Sequence, residues 1–69
     1  MDITLPSKKS INIKNIKFVN AIKKVHNWYY FIIDYKDRES IQLSYYTENA
    51  ANSDRDYILS KLNPIEKFL

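Results

Sequence analysis

The chain of 69 residues contains no glycine and no cysteine. Phosphate-cradling loops, dinucleotide fingerprints and nucleophile elbows all need a residue that reaches φ > 0 without strain and lets the backbone approach a ligand. None of them can be built here. Turns fall instead to asparagine and aspartate, the next most tolerant residues, and seven asparagines are available. The missing cysteine removes disulfides, thiolate catalysis and cysteine-held zinc or iron–sulfur centres. Histidine occurs once, at His26 in a turn-forming context beside Asn27, so there is no second imidazole for a metal site. No apolar run approaches the ~18 residues of a membrane span, and residues 1–7 show no charged stretch leading into an apolar one. A soluble, cytoplasmic protein without cofactor, metal or membrane is the expectation.

What is abundant is aromatic and β-branched. Hydrophobic residues make up 45% of the chain, with six tyrosines, three phenylalanines and one tryptophan. The densest stretch, residues 28–35, is apolar or aromatic on both faces that a β-strand would present, and the rest of the chain is organised around it. The length fits a single domain over residues 1–69. A chain of this size buries only about 60% of the surface its unfolded form exposes, so dimerisation would relieve a marginal core.

Charge is unevenly distributed. Residues 1–27 carry six lysines against Asp2, a balance of +5, whereas residues 28–69 carry five cations against seven acids, a balance of −2. A basic half can attract phosphates, although lysines also solvate strand edges and discourage edge pairing.

Ile3 and Leu5 alternate with polar neighbours, as do Ile11 and Ile13, so residues 3–5 and 10–14 read as short strands around a turn at residues 6–9. Asn15 breaks or bulges the chain before a longer run over residues 16–25, whose β-branched and aromatic content at period two favours a strand. His26-Asn27 then forms a two-residue hairpin loop. Pairing Val25 with Trp28 sets Ile22 opposite Phe31 and Phe18 opposite Tyr35 on one face. The other face pairs Lys23 with Tyr30, Ala21 with Ile32 and Val19 with Asp34.

The loop after Tyr35 decides which face becomes the core. A three-residue loop at residues 37–39 gathers Phe18, Ile22, Tyr29, Phe31, Ile33, Ile41, Leu43 and Tyr45 on one side, and separates apolar from polar better than a two-residue turn does. Arg38 in a left-handed conformation there would cost about 1 kcal/mol. Beyond it, Thr47 suits a helix N-cap with Glu48 in the first turn, and Ser53 offers a second start. Ala51, Ile58, Leu59 and Leu62 recur at helical spacing, and Asn63-Pro64 ends the helix. Residues 65–69 are apolar enough to tuck against the sheet or a partner.

Catalytic chemistry finds little support. Asp34, Asp37 and Glu39 stand among Lys36 and Arg38 as a surface ion-pair cluster, not as an acid and base with separated pKa values. Asp54 and Asp56 have the spacing of a calcium loop's first ligands, yet the glycine and final glutamate that such a loop needs are missing.

The expected fold is α+β, an antiparallel β-meander of four to five strands packed on one C-terminal α-helix. One helix covers one sheet face, leaving Trp28, Tyr30, Ile32 and Tyr46 on the other, rimmed by Lys17, Lys23 and Gln42. Large, stiff side chains with a polar tip are what anchors a protein interface, so a protein partner or a homodimer comes first. Single-stranded nucleic acid is the alternative: bases would stack on Trp28 and Tyr30 while Lys17 and Lys23 neutralise phosphates. In sheet-then-helix order the chain resembles the single-strand-binding fold of the Whirly proteins, which implies nucleic-acid binding. In size and element order it is also similar to small bacterial and phage proteins, among them inhibitors that bind a host enzyme. That likeness implies a non-enzymatic inhibitor or adaptor.

Overall fold

The computed structural model describes residues 2–62; Asn63-Pro64 and residues 65–69, assigned above to helix termination and docking, lie outside the described residues. Six strands precede one helix: β1 (Asp2–Thr4), β2 (Ser10–Asn12), β3 (Ile16–Val19), β4 (Lys23–Val25), β5 (Trp28–Tyr35), β6 (Ile41–Tyr45) and α1 (Glu48–Leu62). All pairings are antiparallel. The expected α+β class, antiparallel strands against one C-terminal helix, is the observed one.

β1 and β2 form a separate two-stranded hairpin in which Ile3 pairs with Ile11. Its turn is closed by Lys8 N–H donating to the Leu5 carbonyl at 2.8 Å and Leu5 N–H to the Lys9 carbonyl at 2.7 Å, with Lys8 at φ 78°. In the larger sheet β5 is central. β3 and β4 both pair along one of its edges, and β6 pairs along the other. The run read as one strand over residues 16–25 is therefore two strands separated by residues 20–22.

That break changes the register. β4 keeps the expected pairs, Lys23 with Tyr30 and Val25 with Trp28. Across the break, Phe18 pairs with Asp34 and Val19 with Ile33, and the register shifts again between Ile16 and Phe18. A one-residue slip sends each side chain to the opposite face. Val19, expected on the outer face, is buried in the core, and Phe18, expected inside, is exposed. Asn20 is the physical cause, since its backbone N–H and its side-chain Nδ2 both donate to the Ile32 carbonyl, at 2.9 and 2.8 Å, and one ladder position is thereby used twice.

The expected two-residue turn at His26-Asn27 forms, with His26 at φ 56°. Between β5 and β6 the ladder closes at Ile33 with Ile41, so the loop is wider than three residues and Arg38 avoids positive φ. Parity is nevertheless as expected: Tyr29 faces Tyr45, Phe31 faces Leu43 and Ile33 faces Ile41.

Thr47 caps α1 by accepting the Ala50 N–H on Oγ1 at 3.2 Å, which settles the choice between the two helix starts. Ala51, Asp54 and Ile58, at intervals of three and four, form the buried stripe of the helix. The core unites Phe31, Ile33, Val19 and Tyr45 from the sheet, Leu5 and Ile11 from the hairpin, and Ala51 and Ile58 from the helix. Hairpin and helix thus form a second layer on the same sheet face. Burial of Phe31, Ile33 and Ile58, each fully enclosed, contributes about 1.5–3 kcal/mol apiece.

Candidate functional site

Because both covering elements lie on one side, the opposite sheet face carries no second layer among the described residues. Alternation along β5 directs Trp28, Tyr30, Ile32 and Asp34 to this open face, since Phe31, Ile33 and Tyr35 between them are buried. Cross-strand pairing adds Val25 beside Trp28, Lys23 beside Tyr30, Phe18 beside Asp34, Ser44 beside Tyr30 and Gln42 beside Ile32. Tyr46, one residue past β6, stacks on Trp28 with ring centroids 4.5 Å apart and planes tilted by 32°. All four residues expected to form the partner surface, Trp28, Tyr30, Ile32 and Tyr46, are therefore gathered on one face.

Exposure is graded across it. Tyr46 is 78% exposed, Phe18 58%, Val25 47% and Trp28 43%, and these are the large hydrophobic side chains left exposed among the described residues. Tyr30 and Ile32 are half-buried between their neighbours. Phe18 belongs to the face although the sequence reading had placed it in the core-facing set, and Val25 joins it. The register slip moved Phe18, and Val25 follows from its pairing with Trp28.

Tyr30 stands between two hollows. On one side, Val25, Trp28, Gln42 and Ser44 join it around 340 Å³. On the other, Asn20, Ala21, Lys23, Ile32 and Asp34 join it around 200 Å³. The first is largely aromatic and apolar; the second holds one charge of each sign. Asp34 accepts hydrogen bonds from Ser40 Oγ and from Asn20 Nδ2, the latter at 3.2 Å. These bonds, Ser40's foremost, and the nearby charge of Lys17 hold its carboxyl below the usual carboxylate range.

The expected rim is only partly brought together. Lys23 and Gln42 lie on the open face, Gln42 donating to Ser44 Oγ at 3.3 Å. Lys17, in the bulge of β3, lines a second groove between β3 and α1 with Phe18, Val19, Arg55 and Leu59, while its charge still acts on Asp34. His26 is exposed in its turn, and Asp37 pairs with its neighbour Arg38 at 3.1 Å on the surface, away from Asp34. No group of three or more histidine, cysteine or acidic residues that could hold a metal occurs among the described residues. No described helix is long and apolar enough to cross a membrane.

Asp54 has a role that its calcium-loop spacing did not suggest. It is fully buried and accepts three hydrogen bonds: from Ser7 N–H at 3.1 Å, from Ser7 Oγ, and from the Tyr45 hydroxyl at 2.7 Å. One carboxylate thereby ties the β1–β2 turn, β6 and α1 together. Burial first, and then the hydrogen bond to Asp54 and its charge, push the Tyr45 hydroxyl far above the ordinary tyrosine range. Arg55, next on the helix, donates from Nε to the Asn20 carbonyl at 2.8 Å and closes the break between β3 and β4. The usable sequence signal was the stripe itself, in which Asp54 occupies an apolar position between Ala51 and Ile58.

Compared with protein-family models, curated proteins and solved structures, the chain matches none. The resemblances in element order therefore bring no residue assignment, and the face is interpreted on its own chemistry.

Proposed function

We propose that this protein acts without catalysis, by binding a protein through the open face of its larger sheet, either a second copy or a target on which it serves as inhibitor or adaptor. The observation behind this reading is that the large apolar side chains left exposed among the described residues, Phe18, Val25, Trp28 and Tyr46, share that one face. Contiguous apolar surface on a small domain marks a partner site, and Trp and Tyr are the residues that anchor one. Lys23 beside Tyr30 supports the alternative, single-stranded nucleic acid. Against it, Asp34 sets a negative charge on the same face.

Trp28 is the only tryptophan, so in the folded protein all tryptophan emission comes from a residue of this face. A photo-crosslinker at position 46, compared with one at the exposed helix position 52, identifies what occupies the face. The expected result is protein captured from position 46 alone, with a blue shift of Trp28 that survives raised salt and is lost in a folded Tyr30→Glu variant. Equal capture from both positions, or capture unaffected by Tyr30→Glu, overturns the reading. Quenching of Trp28 by a single-stranded oligonucleotide that vanishes by about 0.3 M salt would transfer it to nucleic acid.

A further inference from the structure

Resting on that reading, we infer that a second copy of this chain occupies the open face, through a two-fold axis that lies in the interface and runs across the strands, setting the Trp28 end of each β5 against the Asp34 end of the other.

Two sheets packed face to face keep their strands within about 30° of each other, so an isologous pair has two choices of axis, along the strands or across them. An axis along β5 places every residue of that strand opposite its own copy. Asp34 would then meet Asp34, two like charges brought together that the Lys17 near each offsets only in part. The crosswise axis reverses the order along the strand and removes that clash.

What then faces what is complementary. Trp28 and its stacked Tyr46 present an indole N–H and a phenol O–H to Asp34, which is an acceptor only when ionised. Tyr30 meets Ile32, and Ser44 meets Gln42. On the β3–β4 side, Phe18 comes opposite Val25, whose hollow of 340 Å³ it can enter, and Lys23 comes opposite the 200 Å³ hollow that contains Asp34. An exposed aromatic ring thus enters the apolar hollow, and the incoming Lys23 reaches the Asp34 of a hollow that already holds one charge of each sign. The same register that exposes Phe18 supplies the contact. A chain of this length also gains from dimerisation the burial that its own core cannot provide.

The chain has no cysteine, so single thiols at positions 18 and 25 are unambiguous. Both positions are exposed, and the variants keep the core intact. Sedimentation equilibrium of the unmodified chain from about 1 to 500 µM is expected to show a monomer–dimer equilibrium. Tyr30→Glu weakens it by at least about 30-fold. A short bismaleimide should join an equimolar mixture of Phe18→Cys and Val25→Cys into dimers, because residues 18 and 25 of opposite copies lie across one intersheet gap of about 10 Å. Either variant alone should resist, its two thiols standing about 20 Å apart along the strand. Efficient crosslinking within each single variant means the other axis and overturns the geometry, with the face retained as a binding surface. A monomer at every concentration overturns the second copy as occupant, and the position-46 crosslink then decides separately whether the face binds another protein.

Discussion

Replacing Asp54 with alanine perturbs the fold severely at a place away from its open face. Asp54 is the charged side chain buried among the described residues, and all its partners are donors: Ser7 N–H, Ser7 Oγ and the Tyr45 hydroxyl. Hydrogen bonds to a charged acceptor contribute about 1.5–3 kcal/mol each, and a buried donor left without a partner costs about 1–3 kcal/mol. Ser7 sits in a turn where water can replace the lost bonds once the hairpin loosens. Tyr45 is buried, and its hydroxyl has no such recourse. Removing the charge also returns the desolvation cost of the carboxylate, so the net loss is about 3 kcal/mol rather than the sum of three bonds.

For a domain of 69 residues, total stability at 0.05–0.15 kcal/mol per residue is about 3–10 kcal/mol, so a third or more disappears. At about 4–8 °C per kcal/mol the melting temperature falls by about 12–24 °C. Urea unfolding followed by Trp28 emission and far-UV circular dichroism measures this. Tyr45→Phe alone, which removes one donor and leaves the carboxylate with Ser7, should cost about 1–2 kcal/mol. The double variant should be less destabilised than the sum, with a coupling of about 1–2 kcal/mol. An Asp54→Ala variant within about 0.5 kcal/mol of the parent, or zero coupling to Tyr45, would refute the assignment of Asp54 as the link between hairpin, sheet and helix.

Other consequences can be checked independently. Val19→Ala should cost about 2 kcal/mol and Phe18→Ser less than about 0.5 kcal/mol in the same urea assay, the reverse of what an unbroken strand over residues 16–25 would give. Tyr35, raised chiefly by burial, and Tyr45 should hold their protons above the pH at which the unfolded chain's tyrosines ionise. The unfolded state then binds fewer protons, so stability is complete below about pH 10 and declines as pH rises beyond it. Ultraviolet titration of the parent against Tyr35→Phe and Tyr45→Phe locates the two late transitions. His26→Gly should stabilise by about 0.5–1 kcal/mol, since the left-handed backbone at φ 56° strains a residue with a Cβ by more than the extra chain entropy of glycine costs. Thermal unfolding that shows no gain would place the strain elsewhere.

Much of this was legible in the residues because β5 alternates so strictly. Once Val25 is set against Trp28, parity alone decides that Phe31 and Ile33 go inward while Trp28, Tyr30 and Ile32 go outward, and it survives a loop of different length after Tyr35 because the change is even. Thr47 was equally readable, as a cap with a helical stripe behind it. The slip at residues 20–22 was not, because apolar residues recur at period two straight through it and only Asn20 interrupts them. An asparagine that donates twice to one carbonyl is a tertiary event with no local pattern.

Asp54 and the open face are two consequences of one arrangement. A helix with an acid in its buried stripe needs donors brought to it, and here they come from a turn 47 residues away and from the end of β6. Meeting that need pins the β1–β2 hairpin beside α1, so both elements that could have covered the sheet are committed to the same side. Had the hairpin been free to fold over Trp28 and Tyr30, the chain could have enclosed its aromatic residues and left Asp54 to be a poor choice. Because it is not, Trp28, Val25, Phe18 and Tyr46 remain exposed at a cost in hydration that nothing within the described residues offsets. On the proposed reading, a second molecule would bury them. Loosening the hairpin with Asp54→Ala should therefore leave binding at the open face intact in the molecules that remain folded, whereas Tyr30→Glu should abolish binding and leave the fold intact.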